Sequence, residues 1–536
     1  MIRSALPAAL AAALIAAPAG AQQQRDVTPY IEVGQVLTAD LQSGDVLTYS
    51  SIAAGVDASI QTRRVEVQLS YKYEHRIAWD KDLADENVHS GLARAAVQVA
   101  RGVTLEGGAL AARARSDIRG DAPGNLAGNV RNVSQVYSAY AGPTVATKAG
   151  DVDINAAYRF GYTKVEAPSL PAVIPGQPAL DNYDDATNHL ATVSAGVRAG
   201  AVLPVGLSVS GAWAREDVSQ LDQRYDGKYA RGDIVVPVTN ELAAVAGAGY
   251  EKIEISQRDP LVDPATGRPV QDNNGRFVTD PASPRRIAYD TDGLFWDAGV
   301  VWRPSRRTML EARVGRRYGT MSYTGSFSHQ ISATSGVQVG VYDSVQSFGR
   351  GLGRALADLP TSFDTGSDPF GSQFNRCVFG RQGSNAGGCL NPLLGSVTTA
   401  NFRSRGVVAV YSRNFGRNRF GVGLGYDNRR YLLPPGIIPG VSLDGVTDET
   451  WYAQVSAGRQ LSRRSSIDVD GYFNYFDSGL AGAPDVWGGG ATASYNYSFG
   501  HLSAIASLGL YAFDQDIPGT DTDLSAQAML GMRYSF

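Results

Sequence analysis

Several stretches of this 536-residue chain alternate with a strict period of two for ten residues or more. In "RVEVQLSYKYEHR", Val65, Val67, Leu69, Tyr71 and Tyr73 share one face, with Glu66, Gln68, Ser70, Lys72 and Glu74 on the other. "DVDINAAYRFGYT" (151–163) and "SIDVDGYFNYF" (466–476) repeat the pattern. Period two marks a strand with unlike faces. Strands of soluble sheets run about five or six residues, whereas a tilted strand of roughly ten spans the hydrocarbon of a bilayer. The length of the alternation therefore predicts a membrane-crossing sheet, its apolar face toward lipid and its polar face lining a lumen.

The same reading places strands near 28–38, 47–60, 64–78, 88–100, 103–117, 131–146, 150–164, 187–202, 206–219, 232–239 and 241–256. It continues with 290–303, 307–319, 321–331, 336–348, 403–414, 418–431, 449–461, 465–477, 487–499, 501–514 and 523–536. Tight turns such as "QTRR", "TKAG" and "NFGRN" alternate with longer stretches rich in Asp, Asn, Gly and Pro. Only the join at Tyr318-Gly319-Thr320 is short where a long one is due. Short–long alternation is the connectivity of a barrel with tight periplasmic turns and extended outer loops. The expected fold is all-β: a transmembrane antiparallel β-barrel of about 22 strands, within a range of about 18–22. Aromatics at strand ends, such as Tyr71, Tyr73, Tyr158, Phe160, Phe473 and Tyr475, match rings held at headgroup level.

The two ends fix the compartment. Residues 1–21 read as a secretory signal peptide: basic Arg3, an apolar run over 5–17, and Ala19-Gly20-Ala21 before Gln22. Residues 22–536 then form a single outer-membrane barrel domain with long extracellular loops, notably 257–289 and 349–402. The last strand places Ala528, Leu530, Met532, Tyr534 and Phe536 on one face. This ending resembles the C-terminal signal that the barrel-assembly machinery reads in outer-membrane proteins. A first strand so close to the expected cleavage site leaves no space for an N-terminal plug domain of the kind large TonB-dependent transporters carry. Any occlusion must then come from an inward-folded loop.

Composition excludes some functions. The formal charge of −4 gives no reason to expect a nucleic-acid partner. The two cysteines, Cys377 and Cys389, are expected to form a disulfide in an exported chain, stapling a Gly/Asn-rich loop. Two thiols with no nearby His are a poor metal site, and no cofactor is expected. The five histidines include His75 and His89, flanking an acidic stretch with Asp80, Asp82, Asp85 and Glu86. A solvated outer loop bridged by divalent ions explains it better than acid/base catalysis, so no enzyme activity is expected. "RGD" at 231–233 reads as a coincidence in a loop.

One internal stretch carries a resemblance. Trp302, Pro304, Ser305, Arg307 and Thr308, then Arg317-Tyr318-Gly319, then Tyr342, Asp343 and Val345 resemble a segment of the PEP-CTERM/exosortase exopolysaccharide-associated outer-membrane protein family. The resemblance implies a role near envelope polysaccharide. The residues themselves put Arg303, Arg306 and Arg307 at a turn on the inner rim, with Arg313 and Arg317 pointing into the lumen. Such a cluster either draws anionic sugars or phosphates inward or is neutralised by Glu311, Asp297 and other wall carboxylates. The expected function is a channel of the outer membrane for ions, small solutes or saccharides. The alternative is a non-conducting component of an exopolysaccharide apparatus. Outer-membrane lipid, lipopolysaccharide and, during biogenesis, the assembly machinery are the expected partners, with polysaccharide a further one.

Overall fold

The computed structural model describes residues 24–79, 85–117, 132–167, 181–365, 369–371, 376–435, 444–519 and 521–536. The signal peptide and the residues Asp80 and Asp82 lie outside them. Strands β1 (Gln24–Asp40), β2 (Val46–Gln61), β3 (Val65–Ala78), β4 (Glu86–Ala100), β5 (Val103–Arg115), β6 (Val133–Ala149), β7 (Val152–Glu166) and β8 (Asp185–Val197) open the chain. They are followed by β9 (Gly206–Val218), β10 (Arg224–Pro237), β11 (Leu242–Gln257), β12 (Arg286–Ser305), β13 (Thr308–Arg317), β14 (Thr320–Ser332) and β15 (Ser335–Gln346). An inserted segment carries helix α1 (Phe348–Asp358), short strands β16 (Phe363–Thr365), β17 (Cys377–Gln382) and β18 (Asn385–Cys389), and the turn of helix α2 (Asn391–Leu394). Then come β19 (Asn401–Phe415), β20 (Asn418–Leu432), β21 (Thr447–Gln460), β22 (Ser465–Asp477), β23 (Val486–Phe499), β24 (Leu502–Gln515) and β25 (Asp523–Ser535).

All but β16–β18 join one 22-stranded sheet, each strand antiparallel to its neighbours in sequence. The sheet closes because β25 pairs with β1, from Tyr30↔Ser535 to Asp40↔Ser525. Phe536 donates its backbone N–H to Pro29, extending the seam to the last residue. Closure leaves no sheet edge with unpaired backbone groups.

The two faces of the ring differ as the alternation predicts. On β24, Leu508 and Leu510 point out and are 65% and 61% exposed, while Ser507 and Tyr511 point in and are buried. On β25, Leu530, Met532, Tyr534 and Phe536 point outward. Outward aromatics such as Trp302, Phe415 and Phe499 sit toward the strand ends. So much apolar surface is stable only when something other than water covers it.

Glycine and tyrosine are abundant for a shared reason. An inward tyrosine can lie flat along the wall only where the neighbouring strand carries no Cβ. Tyr30 lies over Gly55 in this way, and Tyr452 over Gly425. A side chain at either glycine would collide with the ring.

The wall differs from the sequence reading in two places. Strand β10 begins at Arg224, eight residues before the expected 232, so Arg231-Gly232-Asp233 belongs to a wall strand and not to a loop. The 349–402 segment, expected as an extracellular loop, descends into the ring in its described residues. Its apolar side chains find partners there, as described below. The short join after β13 is a two-residue hairpin with Tyr318 and Gly319 at φ 53° and 75°, the left-handed pair that suits a tight β-turn.

Ring closure has a direct check. Val33 and Met532 face each other across the seam, so Val33→Cys with Met532→Cys should crosslink the first strand to the last on mild oxidation. Val33→Cys with Leu508→Cys, one strand further round, should not; equal crosslinking of both pairs would refute the register.

Candidate functional site

Inside the ring lies the chain's own segment between β15 and β19. Ser347 caps α1, its hydroxyl accepting from the Arg350 N–H at 3.2 Å. Phe348, Leu352 and Leu356 recur at four-residue spacing and are all buried. They pack on lumen-facing Leu110, Val136, Val165, Ala186 and Val218 of β5–β9. Glu216 of β9 lies fully buried beside the cap, accepting from Ser347 and 3.6 Å from Arg350.

Wall side chains bind the backbone that follows. Arg94 of β4 donates to the carbonyls of Ala357 and Leu359 at 2.9 and 3.1 Å. Gln68 of β3 exchanges bonds with the Phe363 backbone at 2.7 and 3.2 Å. The chain then reaches the end of the ring that carries both termini: Gly383 donates to Ala333 in the β14–β15 turn at 2.9 Å. On the opposite wall Phe370 packs among Tyr472, Phe476, Tyr511 and Phe513.

Cys377 and Cys389, directly paired across β17 and β18, are joined by a disulfide. The sulfurs rest against Gly423 and the Phe379 ring against Gly421, two β20 glycines where any Cβ would strike them. Gln454 of β21 accepts from the Cys377 N–H at 2.7 Å. The segment thus touches the wall on several sides and runs the height of the ring.

Opposite the termini, the mouth is narrowed further. Val345 and Leu432 have the outward parity of exposed Val341 and Leu424, yet both are buried against lumen-facing Tyr225, Ile253 and Ile255 of β10 and β11. Ends of β15 and β20 therefore tuck behind β10 and β11, in the space the short β13–β14 hairpin leaves. Arg403 holds the tuck, with both Asp343 oxygens at 2.7 Å and Thr320 at 2.7 Å.

A lid covers this end. Asp181 lies outside the wall strands and joins two loops, accepting from Gln220 at 2.7 and 2.8 Å and from the Phe277 N–H at 2.8 Å. Enclosure pushes its carboxyl up to about 7, against the opposing effect of those donors, with Asp272 adding repulsion. Arg276 pairs with Asp184 and Asp272 beside it.

The expected basic cluster does not assemble. Arg303, Arg306 and Arg307 lie exposed at the β12–β13 turn. Arg313 points into the lumen but meets Asp233 at 2.8 Å, Asp297 at 3.0 Å and Glu311 at 2.6 Å. Arg231 binds Asp233 and Asp297 as well, reaching Asp297 across Gly247, which has no side chain to block it. Arg317 pairs with Glu251 at 2.7 Å. Of the alternatives open in the sequence, the geometry is that of mutual neutralisation. His89 and His189 lie on the outward face, bonded to Tyr71 and Tyr158 at 2.7 and 2.8 Å. Among the described residues no group of three or more His, Cys, Asp or Glu is placed to hold a metal.

Sequence reasoning missed the inward apolar side chains of β4–β9 that receive α1. The signal was present: "GGALAA" (107–112) on β5 is apolar on both faces, which a wall with a purely wet lumen does not need. Between the segment and the wall of β1–β5 and β20–β25 a cavity of about 600 Å³ remains, reaching from Asp26 and Arg533 to Arg76 and Arg113.

No family model and no curated protein matches the chain. Among solved structures it is similar to the FrpB iron transporter of Neisseria meningitidis, at 10% identity and TM-score 0.44, covering 95% of this chain and 81% of that one. The ferric-catecholate import receptor Fiu of E. coli K12 gives 11% identity and TM-score 0.42 over 95% and 81%. OccK5 of Pseudomonas aeruginosa gives 9% and 0.30 over 95% and 98%. Scores this low leave the functional reading to the chain's own geometry.

Two outcomes are expected. Gly423→Leu should push the disulfide hairpin off β20 at a cost of about 1–3 kcal/mol, exposing 377–389 to protease. Gly471→Ala, at a position with no close neighbour inside 3.6 Å, should not. For the lid, the Asp181 pKa is raised from 3.8 to about 7 on docking. Docking is then strongest below about pH 4 and weakens as pH rises toward 7. Hydrogen exchange in 258–285, corrected for intrinsic rate, should be slower at pH 5 than at pH 8, and Asp181→Asn should flatten the difference.

Proposed function

We propose that this chain is an outer-membrane channel for small hydrophilic solutes, with residues 347–400 as its constriction. The observation that carries the reading is the opposition of faces: an exposed apolar exterior with aromatics toward its ends and a charged, hydrogen-bonded interior. Hydrocarbon suits the first and water the second. With both termini on the periplasmic side, the Asp181 lid lies outside the cell and the segment hangs inward from the outer end of β15. A lumen of 22 strands is too wide for wall side chains alone to fill, and the inserted segment narrows it. A saccharide as the passenger rests on the resemblance over residues 302–345 alone.

A second reading, a barrel that conducts nothing, is favoured by the segment's anchors on several walls and by the tuck at Arg403. Planar-bilayer recording separates the two. The intact protein should show small or infrequent openings. Replacing 349–400 by a short Gly/Ser linker should give steady, several-fold larger conductance; silence from both proteins would reject the channel.

A further inference from the structure

The cavity beside the segment has the size of a small-molecule site, typically about 300–1,000 Å³. Its charges are of both signs and interleaved. Asp26, Glu32 and Asp57 line it together with Lys72 and Arg533. Lys72 bonds Glu74 at 3.0 Å, leaving two of its three ammonium protons for other acceptors. Arg533 pairs with Asp57 and stacks over Tyr30, 3.3 Å from the ring centre. Among the described residues the Glu32 carboxylate has no hydrogen bond or ion pair, and neither does the Tyr30 hydroxyl, although Tyr30 is only 5% exposed. A hydroxyl and a carboxylate that face a cavity of this size without protein partners are left to water or a ligand.

We propose that this cavity binds small zwitterions such as amino acids and short peptides. The ligand's ammonium lies beside Glu32, and its carboxylate beside Lys72 and Arg533. An ion of a single sign would find like charge next to every attractive group. A saccharide would find no open aromatic face, because Tyr30 is covered by Arg533 on one side and lies over Gly55 on the other, and Phe363 is fully buried. The inference rests on the channel reading only for the route by which the solute arrives.

Saturation-transfer NMR on the detergent-solubilised full-length protein tests it, with dialanine, maltose, ammonium acetate and methylammonium chloride as probes. Dialanine should show saturable transfer, and Glu32→Gln and Lys72→Met should each weaken it by about tenfold, the scale of one charge-assisted hydrogen bond. Both variants should keep heat-modifiable migration on gels, which separates lost binding from lost folding. Maltose or the simple ions binding as well as dialanine, no transfer from dialanine, or folded variants that bind it unchanged would each overturn the proposal. Conductance of the same preparation keeps the two readings apart. A conducting protein that ignores dialanine sinks this inference alone, whereas a silent one that binds dialanine sinks only the channel.

Discussion

Everything in this structure depends on the backbone pairing of β25 with β1. A 22-stranded antiparallel sheet left open would present two long rows of unpaired N–H and C=O groups, and in lipid no water could satisfy them. Closure over Tyr30–Asp40 and Ser525–Ser535 removes both rows at once. It also fixes parity around the ring, because one residue of slip at the seam would exchange the faces of every strand beyond it. The outward placement of Leu508, Leu530 and Met532 follows from that register.

Closure creates a second problem: a lumen lined by polar groups that must be satisfied without being filled. Two devices meet it. Charges pair along the wall, as Arg231 and Arg313 do with Asp233 and Asp297, where Gly247 lets the guanidinium pass between strands. Elsewhere the chain inserts itself, and wall side chains bond its backbone, as Arg94 and Gln68 do. The glycines that look wasteful in strands are what allow both, by admitting a tyrosine ring, a guanidinium or a disulfide against the sheet.

How much of this was legible depends on the range of each interaction. Strand alternation is local, so the wall could be read directly. Strand β10 was entered late because Asp226 and Lys228 occupy outward positions where apolar residues mark a strand. Helix α1 had local marks in Ser347, Phe348, Leu352 and Leu356, obscured by three glycines that weaken helix propensity. Its destination was not local at all, since Leu110, Val136, Val165 and Ala186 meet only once four strands are side by side. Pairing of Arg313 with Glu311 and Asp297 was open in the sequence, but its third partner, Asp233, lies 80 positions away and was not.

The short β13–β14 hairpin ties these levels together. Its two-residue turn at Tyr318 and Gly319 lowers the wall at one place, and that gap lets β15 and β20 lean inward until Val345 and Leu432 are buried. The lean is held by the Arg403–Asp343 ion pair, whose guanidinium also donates to Thr320 of the hairpin. Helix α1 starts two residues after β15 ends, so any outward swing of β15 would pull on Ser347, Glu216 and the helix together. Narrowing at the mouth opposite the termini and filling of the lumen are therefore mechanically one closure, and the turn that broke the loop-length rule is where that closure begins.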